Sequence, residues 1–402
     1  MSTPAASGAP TSAMLIIFSL AMGGFAIGTG EFAIMGLMPN VARDLGITEP
    51  QVGHLISAYA LGVVVGAPLL AVFGARLLRK HLLIALMGFY AVGNLASALA
   101  PSYDTLLAYR FIAGLPHGAY FGVAALVAAS LVPAGQRATA VSLVMMGLAL
   151  ALLFGNPLAT LLGQHIDWRY AFWFVGGVAT LTTALIGFTL PLNRDEPRHS
   201  AFHELRAFNR REIWYPLAIG SIGFAGMFCV FSYLAPTLLH VTGADPLWIP
   251  VALFVFGLGG FAGNILGGWL FDRMNFQSVG WILLWAAAML MLFPLAAGTL
   301  GPLLLICFLV ALMVALGPAL QTHLMDVARD AQTLAAASHH GAFNLANALG
   351  PWLGGMAINA GLGWQVTGYV GAATALAGLL VFFVAWKQQP DNEAAAGSQL
   401  TL

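Results

Sequence analysis

Charge is what this chain has least of. Only 7% of its 402 residues are Asp, Glu, Lys or Arg, where a soluble domain carries about 25%. With 60% of the residues hydrophobic, too little polar surface remains to coat a water-facing particle, so the chain reads as one whose solvent is lipid. Formal net charge is zero, which argues against a basic nucleic-acid-binding face. Cysteine is nearly absent: Cys229 and Cys307 both sit in apolar runs and offer neither a disulfide framework nor a metal-ligand spacing. The first twelve residues are polar but lack Lys and Arg, so they do not resemble the charged start of a secretory signal. No G-x-S-x-G, phosphate-binding loop or dinucleotide fingerprint occurs. An enzyme reading therefore has no support, and no cofactor or metal is expected. Without an ATP site, any transport must run on an ion gradient.

What the chain does have is long apolar runs. A membrane helix needs about 20 mostly apolar residues. Twelve such runs are present, roughly 14–38, 52–75, 82–100, 105–132, 138–163, 170–190, 215–241, 247–271, 279–297, 302–324, 334–361 and 366–386. The connections are short and polar except for a charged stretch, 193–214, after the sixth run. The expected architecture is an all-α membrane protein of twelve transmembrane helices. It divides into an N-terminal six-helix half (1–192), a cytoplasmic central loop (193–214) and a C-terminal six-helix half with a short tail (215–402). Of fifteen Lys and Arg, twelve fall in loops that would be cytoplasmic if the N-terminus is inside, and two, Arg43 and Arg169, fall outside. The positive-inside bias thus places both termini in the cytoplasm. His199 and His203 lie in the central loop, where a solvated amphipathic helix on the membrane surface is preferred over a metal site.

The two halves repeat each other at an offset of 197 residues. Pro39 and Gly46 map onto Pro236 and Gly243, Gly62 and Gly66 onto Gly259 and Gly263, and Ala71 and Arg76 onto Gly268 and Arg273. Duplicated units of this kind are built into secondary transporters, with the substrate site between them near the bilayer midplane. The same offset sets Phe228 opposite Glu31 and Cys307 opposite Arg110. Those two charges are therefore features of the first half alone, not of the shared scaffold.

Five stretches carry a resemblance: "EFAIMGLMP", "ISAYALGVVVGAP", "RFIAGLPHGAYFG", "GLALALLFGNPLATLLG" and "GWLFDR". Together they resemble the major facilitator superfamily, specifically its twelve-span drug:proton antiporter group and the arabinose-efflux-like and chloramphenicol-efflux-like branch. The resemblance implies the major facilitator fold, a coupling role for Arg110, and gating loops at Arg76, Arg79, Lys80, Asp272 and Arg273. The first loop motif departs from the family pattern, with Ala71 and Ala75 at its glycine and aspartate positions. That leaves Asp272 and Arg273 as the intact copy.

Glu31 is an acid in the middle of a greasy helix. A charge at the bilayer centre costs about 2.5–3.5 kcal/mol on insertion scales and is kept for use. Glu31 is accordingly the candidate proton carrier, against a static hydrogen bond to a neighbouring helix. Gly24, Gly28, Glu31, Met35 and Met38 form one stripe, read as the cavity face. Arg110 cannot shed its proton. It either faces the cavity near an acid or an anionic substrate group, or snorkels to the outer leaflet. His117, two turns on from Arg110, completes the proton-coupling set, with plain packing as the alternative. His340, Asn344 and Asn347 lie on one helical face and should line the cavity or an interhelical contact, whereas His339 is off that stripe and packs. Asn156 and Asn264 read as interhelical hydrogen bonders. Tyr59, Tyr120, Phe224, Phe228 and Tyr233 are candidates for an aromatic pocket, or for packing alone.

The functional expectation is a monomeric, proton-coupled exporter of a small molecule (drug, sugar or metabolite) in the bacterial inner membrane. A proton entering from outside would neutralise Glu31, weaken its attraction to Arg110 and favour the inward-open state. The competing readings are an uptake carrier or uniporter of a small metabolite, or a substrate sensor on the same scaffold.

Overall fold

The computed structural model describes residues 12–74, 77–133, 136–193, 211–328 and 332–388. Among them there is no strand. The helices run α1 (Ala13–Gly36), α2 (Met38–Leu45), α3 (Glu49–Gly74), α4 (Arg79–Ala98), α5 (Tyr103–Gly114), α6 (His117–Ser130), α7 (Arg137–Leu150), α8 (Asn156–His165) and α9 (Arg169–Thr189). After the central segment come α10 (Arg211–Ala218), α11 (Ala225–Ser232), α12 (Leu234–His240), α13 (Trp248–Met274), α14 (Gln277–Ala296), α15 (Leu300–Ala311), α16 (Leu316–Ala328), α17 (Gln332–Asn359) and α18 (Val366–Lys387). Eleven helical stretches among the described residues are long and apolar enough to cross a membrane. The stretch α17 has the length, 28 residues, but spends part of it on His339, His340, Asn344 and Asn347 and falls short on apolarity. Large apolar side chains face outward along the bundle, among them Phe188, Trp269, Trp281 and Leu295. In water such a surface would aggregate; in lipid it is the solvated face.

Several of these helices are broken, and the breaks repeat. The run through α1 and α2 breaks at Leu37, just before Pro39 opens the next helix, because proline supplies no N–H to the preceding turn. The run through α11 and α12 breaks at Tyr233, before Pro236. The run through α5 and α6 is interrupted at Leu115 and Pro116, and that through α15 and α16 tightens to a 3₁₀ turn at Leu312–Ala315. Wider π turns at Ala151–Gly155 and Ile219–Gly223 interrupt two further spans.

The 197-residue offset holds in the packing. Gly46 closes α2 and Gly243 lies in the turn just after α12, both with φ of 64°, a backbone that favours glycine. A methyl group at Gly62 or Gly66 would strike the backbone carbonyl of Phe111 or Leu115, respectively. At Gly259 and Gly263 it would strike the carbonyls of Phe308 and Leu312. Each struck carbonyl is the 197-residue counterpart of the other. Small residues let helices touch backbone to backbone, which is how spans hold together when lipid is as apolar as leucine.

Polar contacts between the chain before residue 193 and the chain after 211 run from the depth of Glu31 to the end that carries Glu49 and His240. Asn347 Nδ2 donates to Glu31 Oε1 at 2.8 Å, and Ser57 Oγ donates to the Ala348 carbonyl at 2.7 Å. Beyond these, Gln164 Nε2 donates to the Pro246 carbonyl at 3.0 Å, and His240 Nε2 lies 3.2 Å from Glu49 Oε1. Phe32 of α1 packs against Phe228 and Phe231 of α11 at ring separations of 6.4 and 5.9 Å. This end of the bundle is sealed.

A candidate coupling site around Glu31

Glu31 sits six residues before the break at Leu37 and is 4% exposed. Five further helices bring polar groups toward it. Tyr59 comes from α3, Tyr90 and Asn94 from α4, Arg110 from α5, His117 from α6 and Asn347 from α17, all of them buried. They form a chain of contacts. Glu31 Oε1 accepts from Asn347, while its Oε2 is 4.0 Å from His117 Nδ1. His117 Nδ1 is in turn 3.1 Å from the Tyr59 hydroxyl. The Tyr90 hydroxyl donates to the carbonyl of Ile27 at 3.1 Å, which pins α4 to α1 one turn from Glu31. A carboxyl enclosed in this way has no water to share its charge, so its protonation is decided by these neighbours.

Arg110 takes the buried alternative and departs from expectation only in its partner. Its side chain is fully buried, so it does not snorkel. It is not paired with Glu31. Among the described residues none of its three guanidinium nitrogens has a hydrogen-bond partner. The group instead lies over the Tyr59 ring at 4.3 Å and beside the Phe172 ring at 5.4 Å. The ring faces supply cation–π attraction but no acceptors. The expected Glu31–Arg110 attraction is therefore longer-range in this conformation, and the contact that Glu31 makes is with Asn347.

The polar stripe of α17 does face an interhelical contact. Asn347 reaches Glu31, His340 stacks on Phe121 of α6 at 5.8 Å with an interplanar angle of 11°, and Asn344 bonds back to the His340 carbonyl at 3.0 Å. His339, off the stripe, packs against Phe343 at 4.5 Å. Met35 and Met38 are fully buried in the packed core, so the stripe running on from Glu31 is not an open cavity wall here. The five aromatics do not converge on one pocket either. Phe224 and Phe228 pack edge to face, but the Tyr120 hydroxyl is spent on the Leu20 carbonyl and that of Tyr233 on the Pro351 carbonyl. The buried side-chain amide of Asn156 has no hydrogen-bond partner among the described residues, and Asn264 is exposed on the side of the bundle, so among those residues neither bonds between helices as expected. Tyr90, Asn94 and Ser57 were not singled out in the sequence. The signal for the first two was there: a tyrosine and an asparagine four apart on one face of an apolar helix.

At the far end of α13, Asp272 and Arg273 are exposed; Arg273 stacks over Trp269 at 3.9 Å and Asp272 forms no ion pair among the described residues. Arg79 and Lys80 open α4, while Arg76, His199 and His203 lie outside the described residues. At the sealed end, Asp44 accepts from Trp168 Nε1 at 3.0 Å and from Arg169 Nη1 at 2.6 Å. These bonds, the indole's first, hold its carboxyl below the ordinary aspartate range.

Comparison with known proteins agrees with this architecture. The family model for the Major Facilitator Superfamily matches residues 20–338. The inner membrane transport protein YdhP of Escherichia coli is 39% identical over 383 residues, covering 95% of this chain and 98% of the relative. The chloramphenicol resistance protein of Streptomyces lividans is 34% identical, covering 84% of this chain and 87% of its own length. In fold, the chain is similar to a bacterial homologue of the human lysosomal transporter Spinster, solved inward-facing and occupied. The TM-score is 0.75 at 17% identity, covering 95% of this chain and 98% of that one.

Proposed function

The chain belongs to the Major Facilitator Superfamily, in the branch of drug and sugar efflux proteins, and on that premise we propose that it is a proton-coupled exporter of a small molecule in the bacterial inner membrane. It is a transporter and not an enzyme. The observation that carries the proposal is Glu31, an enclosed carboxyl within the spans, hydrogen-bonded to Asn347 from the opposite half and flanked by His117.

The eleven apolar stretches plus α17 support a twelve-span arrangement, with the halves at 1–192 and 215–402 joined by a cytoplasmic loop at 193–214. Repeated breaks and repeated glycine contacts at one offset support that division. Twelve of the fifteen Lys and Arg then lie on the cytoplasmic side, and the sealed end is external. The conformation is thus closed to the outside. Proton arrival at Glu31 neutralises the carboxyl and favours this closed exterior. Substrate entering from the cytoplasm then favours release of the proton inside and reopening to the exterior. Arg110, with its charge unmatched in this state, attracts Glu31 once the carboxyl is ionised.

Purified protein in proteoliposomes tests the proposal. An imposed pH gradient should drive substrate uphill from a panel of drugs, sugars and small metabolites. Transport that ignores the gradient for every transported compound would refute proton coupling.

A further inference from the structure

The Glu31–Asn347 contact has an unused half. Asn347 Nδ2 donates to Glu31 Oε1, but Asn347 Oδ1 is buried and has no hydrogen-bond partner among the described residues, in a side chain that is fully enclosed. An acceptor left bare in such a place lacks a donor. An ionised carboxylate has none to give, whereas a protonated carboxyl has one. A carboxyl and a carboxamide side by side then form a ring of two hydrogen bonds: amide N–H to carboxyl oxygen, and carboxyl O–H to amide oxygen. Asn344, one turn away, is not equivalent, because its Nδ2 is spent on its own helix.

We propose that Asn347 is the positioning residue through which the C-terminal half reads the proton on Glu31, by making two bonds to the protonated carboxyl and one to the ionised carboxylate. This rests on the reading of Glu31 as the proton carrier. The other titratable or charged groups around Glu31 do not serve this purpose. Tyr59, Tyr90, Arg110 and His117 come from α3, α4, α5 and α6 of the same half, and the charged or titratable residues of α7, α8 and α9 are Arg137, His165, Arg169 and Tyr170, all at the ends of those helices. From the opposite half, His340 is stacked on Phe121 and His339 packs at a tilt against Phe343. Among the described residues, only Asn347 bonds the carboxyl from across the interface.

Two consequences follow. When the proton leaves, the second bond is lost and the ionised carboxylate is drawn toward Arg110, whose guanidinium has no acceptor in this state. Both changes loosen Glu31 from α17. The next residue of α17, Ala348, holds Ser57 of α3, so release at Asn347 is passed to the external seal one residue away.

The test uses Leu253→Cys as a reporter in the otherwise full-length protein in proteoliposomes, labelled with a membrane-impermeant maleimide across pH; Leu253 is buried against Gly36 of the other half, and its replacement leaves the Ser57 bond to Ala348 intact. The protein without the reporter controls for Cys229 and Cys307, which are buried. In the reporter background, labelling should rise about fivefold from acid to alkaline pH, the effect of one hydrogen bond on the closed-to-open ratio. With Asn347→Leu added, the change should fall to less than about twofold. A parental pH profile in Asn347→Leu overturns the proposal. If that variant does not fold, the isosteric Asn347→Asp decides. Two adjacent carboxylates should open the seal further at alkaline pH than in the parent, and an unchanged profile overturns the proposal. Glu31→Gln separates the two readings. A parental profile in Glu31→Gln removes the proton site itself, whereas a flat one beside a parental Asn347→Leu removes only the role of Asn347.

Discussion

Adding a single methyl group tests how the spans are held together. A Cβ placed at Gly263 would lie 2.6 Å from the carbonyl oxygen of Leu312 and 3.0 Å from its carbonyl carbon and Cα. These are backbone atoms, and a rotamer change cannot move them aside. Gly62 meets the carbonyl of Phe111 in the same way, at the repeat position of Gly259 and Phe308. Helices α3 and α5, or α13 and the turn before α16, must therefore separate along their length. Overpacking of this kind costs about 1–3 kcal/mol. Gly268 is the control, since a Cβ there meets nothing within 4 Å. In an exposed helix interior, Gly→Ala is favourable by about 0.5–1 kcal/mol. Thermal unfolding of the detergent-purified protein, followed by loss of the monodisperse peak, reads the difference. Gly62→Ala and Gly263→Ala should both melt below wild type, and Gly268→Ala at or above it. Wild-type melting of the first two would refute backbone contact as the packing device.

Further tests address the charges and the topology. Arg110→Lys keeps the charge but loses the planar group that lies on Tyr59, so transport should fall while expression holds; wild-type rates in Arg110→Ala would remove any coupling role. Asp44→Asn should cost less than about 1 kcal/mol, because the Asp44–Arg169 pair is partly exposed. Because the Asp44 carboxyl is held below its ordinary range, the stability that it adds is present at neutral pH and is lost as pH falls through its folded value. Melting curves of wild type and Asp44→Asn should therefore converge in acid, and divergence there would contradict the assignment. Single cysteines at Asp245 and Gln277, both exposed at helix ends, should label from opposite faces of the membrane; labelling from one face would break the proposed topology.

The fold was legible because lipid imposes a coarse rule, namely long apolar runs with cations between them. The repeat was legible because glycine at a backbone contact tolerates no substitute, so Gly62, Gly66, Gly259 and Gly263 leave a mark in the chain. Helix breaks were less so. Pro39 and Pro116 announce two of them, but the π turns at Ala151–Gly155 and Ile219–Gly223 depend on neighbouring helices. At the site, the charged residues stood out by cost alone: Glu31 and Arg110 are dear in a membrane wherever they point. Their partners did not. One-dimensional spacing gives the face of a helix but not which helix lies against it, so Asn347 was visible as part of a stripe and not as the partner of Glu31. For the same reason a Glu31–Arg110 pairing looked natural, whereas the rings of Tyr59 and Phe172 hold Arg110.

The most direct test of the central claim is uphill transport by Glu31→Gln. Glutamine keeps the size and hydrogen-bonding capacity of the protonated acid but cannot titrate. In proteoliposomes with an imposed pH gradient, wild type should concentrate its substrate. Glu31→Gln should bind the same substrate with no pH dependence and exchange it across the membrane, yet build no gradient. Wild-type accumulation by Glu31→Gln would contradict the account and return Glu31 to a purely structural role.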